Sequence, residues 1–133
     1  MWEAGWAGDI AWFQFGKRVT RPHPRGGQRE VGEYALHISC AWTWRTESGF
    51  VRADEDSTDL TELGGLQARV ESSSAEPSGH LKLLLSEGEC LEVEPDEPTA
   101  DPANKTEYWR LFQPGLRTPH MVSSNLGIHW HEA

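Results

Sequence analysis

Four groups of residues in this chain have types and spacings that bear on chemistry. His129-Trp-His131 is the sharpest. A strand puts residues i and i+2 on one face, so both imidazoles would stand at a separation that one metal ion can bridge, with His120 or Glu132 as a third ligand. Two histidines with no defined third partner, close to Ala133, read better as solvated side chains, and no metal or other cofactor is expected. Cys40 attacks only as a thiolate, yet it falls on the apolar face of a strand pattern, where desolvation favours the thiol. Arg110 lies within Tyr108-Trp-Arg-Leu-Phe112, and alternation puts it on the face of Tyr108 and Phe112, where it would stack, pair with a carboxylate or take an anion. The fourth group is acidic. Asp54, Glu55, Asp56, Asp59 and Glu62 form one cluster, and six carboxylates between Glu87 and Glu97, Glu87 and Glu89 among them, form another.

Signatures of common enzyme classes are missing. The chain has no Gly-x-Ser-x-Gly elbow, Walker loop, dinucleotide fingerprint or His-Glu-x-x-His pair, so a non-catalytic role is expected. With 12 basic and 21 acidic residues the net charge is −9, which repels a phosphate backbone and excludes nucleic acid as a ligand of the molecule as a whole. The cations are uneven: Lys17, Arg18, Arg21, Arg25 and Arg29 all fall before residue 30. No stretch approaches the roughly 20 apolar residues that span a bilayer, and a leader is not evident, so a cytoplasmic protein away from membranes is expected. Cys40 and Cys90 each sit inside an apolar strand pattern and are read as reduced, structural thiols.

The elements that would position these residues are strands. From Glu33 to Trp44 two characters of residue alternate without a break, with Tyr34, Leu36, Ile38, Cys40, Trp42 and Trp44 on one face. That pattern predicts one long core strand running to about Arg45. Ile10 to Phe15 reads as an earlier strand closed by Gly16, and Arg21-Pro-His-Pro-Arg-Gly-Gly as a loop. Phe50 and Val51 are placed to pair back on Trp42 to Arg45. Asp54 to Gly65 is read as a loop or one short helix, and Leu66 to Glu71 as a strand. The segment from Ser72 to Gly79 reads as a flexible connector.

The clearest hairpin joins His80-Leu-Lys-Leu-Leu-Leu through Ser86-Glu-Gly-Glu to Cys90-Leu-Glu-Val. It sets Leu81, Leu83 and Leu85 opposite Leu91 and Val93, with Gly88 free to take the positive φ of a tight turn. Glu94 to Lys105 is too rich in proline and acid for regular structure. Order returns at Glu107 to Phe112, turns at Gln113-Pro-Gly, and ends with His120 to Ser123 and Gly127 to His131.

Glu33-Tyr-Ala-Leu-His-Ile-Ser-Cys-Ala-Trp, then Cys90-Leu-Glu-Val-Glu-Pro-Asp, Tyr108-Trp-Arg-Leu-Phe-Gln-Pro-Gly and Pro119-His-Met-Val together resemble a family of small cytoplasmic proteins of actinobacteria defined only as a domain of unknown function. The resemblance runs from about Ile10 to Ile128 and implies no activity. Between Phe50 and Leu66 the chain is shorter than that resemblance implies.

The expectation is therefore a single domain over residues 1–133, mainly β, an antiparallel sandwich or curved half-barrel of about seven strands with at most one or two short helices. Two functions are weighed. In the preferred one the acidic loops, through Asp54, Glu55, Asp56, Asp59, Glu62, Glu87 and Glu89, cover a basic protein partner as an immunity or accessory protein would. In the alternative the sheet encloses a small-molecule pocket lined by Trp12, Trp42, Trp44, Trp109 and Arg110, four of the seven tryptophans among them. An edge strand, with Ile10 to Phe15 as the candidate, would also allow a homodimer.

Overall fold

The computed structural model describes residues 3–47, 51–53, 69–95 and 106–132. These residues form eleven strands and a single 3-10 turn at Ser86–Gly88. The strands are β1 (Glu3–Ala7), β2 (Ile10–Pro22), β3 (Gln28–Ile38), β4 (Trp42–Arg45), β5 (Val51–Ala53), β6 (Val70–Ala75), β7 (Leu81–Leu85), β8 (Cys90–Val93), β9 (Glu107–Phe112), β10 (His120–Ser124) and β11 (Gly127–His131). All pairings are antiparallel. One sheet has six strands in the order β1-β2-β3-β9-β10-β11, the other five in the order β5-β4-β8-β7-β6. Both keep free edges, so the domain is a sandwich and not a barrel, and the mainly β antiparallel expectation holds. Among the described residues no helix is long and apolar enough to cross a membrane.

Where the alternation of Glu33 to Trp44 predicts one strand, the structure has two in different sheets. The chain turns a corner at Ser39–Ala41, where the Ser39 amide donates to the Tyr108 carbonyl at 2.8 Å and the Ala41 carbonyl accepts from the Glu94 amide at 3.0 Å. Side-chain period survives the corner, because Leu36, Ile38, Trp42 and Trp44 all point into the same core from opposite sheets. This crossing, together with strands too polar to show a pattern, explains why eleven replace the seven expected. β6, Val-Glu-Ser-Ser-Ser-Ala, is such a strand: it occupies the first part of the segment read as a flexible connector.

Two other expectations change. β2 continues past Gly16, which at φ +78° accommodates a register shift between Phe15 and Arg18 rather than a strand end. Flanked by β1 and β3, the Ile10 to Phe15 segment is not an edge, so the homodimer pairing considered for it is not open to it. The hairpin β7-β8 and the return of Val51 onto β4 stand as expected, with Leu83 opposite Leu91 and Arg45 opposite Val51. The helix or loop expected over Asp54 to Gly65, Phe50, and the start of the Leu66 to Glu71 strand lie outside the described residues.

The core is aromatic where β1, β2 and β3 meet β4 and β8. Phe13 stands edge-on to Trp42 at 5.6 Å and stacks with Trp44 at 6.2 Å, and Trp6 lies 6.0 Å from Trp42. Leu91 and Val93 are fully buried beside them. Such ring pairs add about 0.5–1.5 kcal/mol each beyond the area they bury. Cys40 and Cys90 are reduced and half-buried. Burial pushes the Cys90 thiol above its ordinary range, which suits a structural role.

Candidate ligand-binding site

The same two sheets part between β6-β7 on one side and β3, β9 and β10 on the other, leaving a cavity of about 830 Å³. Its first wall is built by Leu36, Leu111, Trp109 and Met121, and its second by Leu81 and Leu83. The reason for the gap lies in β6. Ser73 pairs with Leu83 and Ala75 with Leu81, so beyond Val70, which pairs with Leu85, the inner positions of β6 carry a hydroxymethyl and a methyl group where neighbouring strands carry leucine, phenylalanine or tryptophan. Small side chains at inward positions leave the facing sheet less filled opposite β6 than opposite β7. Tyr34 and Val70, which also line the space, remain 42% and 44% exposed.

A volume of this size lies in the usual range of small-molecule sites, about 300–1,000 Å³. Its floor is apolar, while the exposed lining residues Lys17 and Arg69, with half-buried Glu33, supply charge at the rim. Arg69 is held there by its backbone: its amide donates to Ser86 Oγ at 2.9 Å, and its carbonyl accepts from the Ser86 amide at 2.8 Å. Lys17 follows directly on the Gly16 bulge that turns β2 at this point.

Trp109 marks the border between the packed and open regions. Its Nε1 donates to the Gly79 carbonyl at 2.9 Å, and Gly79, at φ +97°, has Tyr108 Cδ2 only 2.7 Å from where a Cβ would stand. Tyr108 joins the core, although alternation groups it with Arg110 and Phe112. The register of β9 on β10 skips it between the Ser123–Trp109 and Ser124–Glu107 pairs, and this bulge buries both Tyr108 and Trp109.

On the outer face of the six-stranded sheet lies a polar aromatic cluster. Arg110 makes a two-pronged pair with Glu107, at 2.7 and 3.2 Å, and its Nη1 donates to His120 Nδ1 at 2.9 Å. Phe112 stacks on His120 at 4.8 Å and meets His37 edge-on at 4.7 Å. Burial first, and the Arg110 guanidinium second, hold both His37 and His120 below the ordinary histidine value. Arg110 is thus engaged within the protein, the carboxylate pairing expected of it, and protonation of both imidazoles is disfavoured.

The opposite environment surrounds His80, ahead of β7. Its Nε2 lies 2.6 Å from Glu92 Oε2, and this hydrogen bond, helped by Glu76 and Glu94, raises its pKa while lowering that of Glu92. His80, Glu92 and Glu94 are the one metal-capable group among the described residues, with ligand atoms within 4.8 Å of one another. Within this group His80 and Glu92 are joined directly by that hydrogen bond. His129 and His131 are not part of it: on β11, His131 pairs across to His120 and His129 to Val122.

The residues singled out in the sequence therefore disperse. Trp42, Trp44 and Trp109 are at most 2% exposed and fill the core, and of these Trp109 also reaches the cavity. Trp12 stands on the outer face, opposite His37 and over Gly5, and Arg110 shares that face. Of the acidic set, Asp54, Glu55, Asp56, Asp59 and Glu62 lie outside the described residues. Glu87 is exposed in the 3-10 turn, and Glu89 accepts from Trp44 Nε1 at 2.7 Å, tying the turn to the core. Sequence reasoning placed Lys17 in the basic cluster before residue 30 but missed Arg69 and the β6 wall, for which the signal was the run of small residues at Ser72-Ser-Ser-Ala75, which reads equally as a linker.

Comparison with known proteins finds no matching family model, no matching curated protein and no matching solved structure.

Proposed function

We propose that this protein is a small-molecule-binding domain that takes an apolar ligand between its two sheets. A single observation carries the reading: the cavity of about 830 Å³ walled on one side by Leu36, Leu111, Trp109 and Met121 and on the other by Leu81 and Leu83, whose partners on the edge strand β6 are only alanine and serine. Leu36, Leu81, Leu83 and Trp109 are already buried, but the apolar lining still open to water, Tyr34 and Val70 with half-buried Leu111 and Met121, costs roughly 25 cal/mol per Å², a cost recovered when a ligand covers it.

A neutral solvatochromic dye such as Nile red tests this. The native protein should bind it saturably with a blue-shifted emission, and Ser73→Leu and Ala75→Leu should lose that binding while unfolding at equal or higher denaturant concentration. Absence of binding to the native protein, or undiminished binding to folded filled variants, would reject the pocket.

A further inference from the structure

The cavity has an apolar interior and a charged rim, and the sign of that rim narrows the ligand. Over the whole chain acidic residues outnumber basic ones by 21 to 12. At the cavity the balance reverses, since Lys17 and Arg69 line it with Glu33 as the one carboxylate. Among the described residues no ion pair holds either cation, whereas Arg110 is fully engaged with Glu107 and His120. Lys17 and Arg69 reach the site from different sheets, one beyond the Gly16 bulge of β2 and the other immediately before β6. They are exposed, so their charge costs no desolvation until a ligand arrives.

We infer that the ligand is a single-chain amphiphile with an anionic head group: the tail lies against Leu36, Leu83, Trp109 and Met121, and the head is held at the rim by Lys17 and Arg69. This rests on the small-molecule reading above and adds the head group to it. One net positive charge at the rim, two cations against one carboxylate, suits a monoanion such as a carboxylate better than a dianion. The surrounding acidic surface attracts an ammonium head and repels an anion, so selectivity for an anion has to come from the rim itself.

Three probes of one chain length separate head from tail: dodecanoate, dodecanol and dodecylammonium, each titrated below its aggregation threshold with tryptophan emission as the readout. Dodecanoate should bind about three- to tenfold more tightly than dodecanol, the scale of two partly exposed charge contacts, with dodecylammonium weakest. In the Lys17→Gln/Arg69→Gln double variant, and equally in high salt, the ratio of dodecanoate to dodecanol affinity should fall to about one. Equal affinity for dodecanoate and dodecanol in the native protein, or tighter binding of dodecylammonium, would overturn the head-group assignment and leave the pocket standing. Failure of all three probes to bind would overturn the pocket and the assignment together.

Discussion

Along one half of the sandwich the two sheets interlock through Phe13, Trp42, Trp44, Leu91 and Val93; along the other, Leu36, Leu81, Leu83 and Leu111 face a gap. Both halves draw on the same strands: Phe13 and Phe15 are two residues apart on β2, and Leu83 is the direct cross-strand partner of Leu91. What differs is the facing strand. β4 sends two tryptophans inward, whereas β6, after Val70, sends only a serine and an alanine. The difference teaches that the cavity is not a failure of hydrophobic residues to appear. It is a place where the partner strand withholds them.

That contrast is broken most directly by truncating the packed half. Trp44→Ala, which removes a 1% exposed ring and the bond to Glu89, should cost about 3–5 kcal/mol in denaturant unfolding. Leu91→Ala should fall near the top of the roughly 2–5 kcal/mol range for its type, and Leu83→Ala, already beside open space, near the bottom. Equal losses at Leu83 and Leu91 would mean that the two halves are packed alike.

Gly79 lies on the border, with positive φ and with Tyr108 and Pro95 carbons within 2.8 Å of where a Cβ would stand. Gly79→Ala should destabilise by more than about 1 kcal/mol and loosen Trp109, seen as a red shift in its emission. In the open half, Ser73→Leu should raise stability by about 1 kcal/mol, as cavity-filling changes commonly do.

The smallest effects concern the outer surfaces of the strands that wall the cavity. His37 and His120 are held below the ordinary value of 6.5, so their contribution is complete above that pH and is lost as pH falls below it toward their folded values. His80 is shifted up, so its bond to Glu92 contributes fully below 6.5 and is lost as pH rises through its higher folded value. Unfolding midpoints measured across this range should therefore lose part of their acid-side decline in His37→Gln, more of it in His37→Gln/His120→Gln, and their alkaline-side decline in His80→Gln.

Much of this architecture was legible in the chain, and the site was not. The leucine alternation of β7 and β8 around Gly88, and the tryptophans of β4, carry their burial in their spacing, because one face must be dry. β6 carries no such mark: its residues are exposed on both faces, and Ser72-Ser-Ser resembles a linker in composition. Two bulges hid further features, one at Gly16 that lets β2 continue to Pro22 and one at Tyr108 that turns its ring inward, since each breaks the period from which faces are read. A cavity is defined by what the opposite strand lacks, and pairing between distant strands is not written in local periodicity.

The most direct test of the inter-sheet site is a crystal structure of the protein bound to ω-bromododecanoate, with the bromine located by its anomalous scattering. A bromine peak in contact with Leu83, Trp109 and Met121, with the carboxylate at Lys17 and Arg69, is the expected result. A bromine peak only outside the space between the sheets, at a ligand concentration that saturates binding in solution, would contradict it.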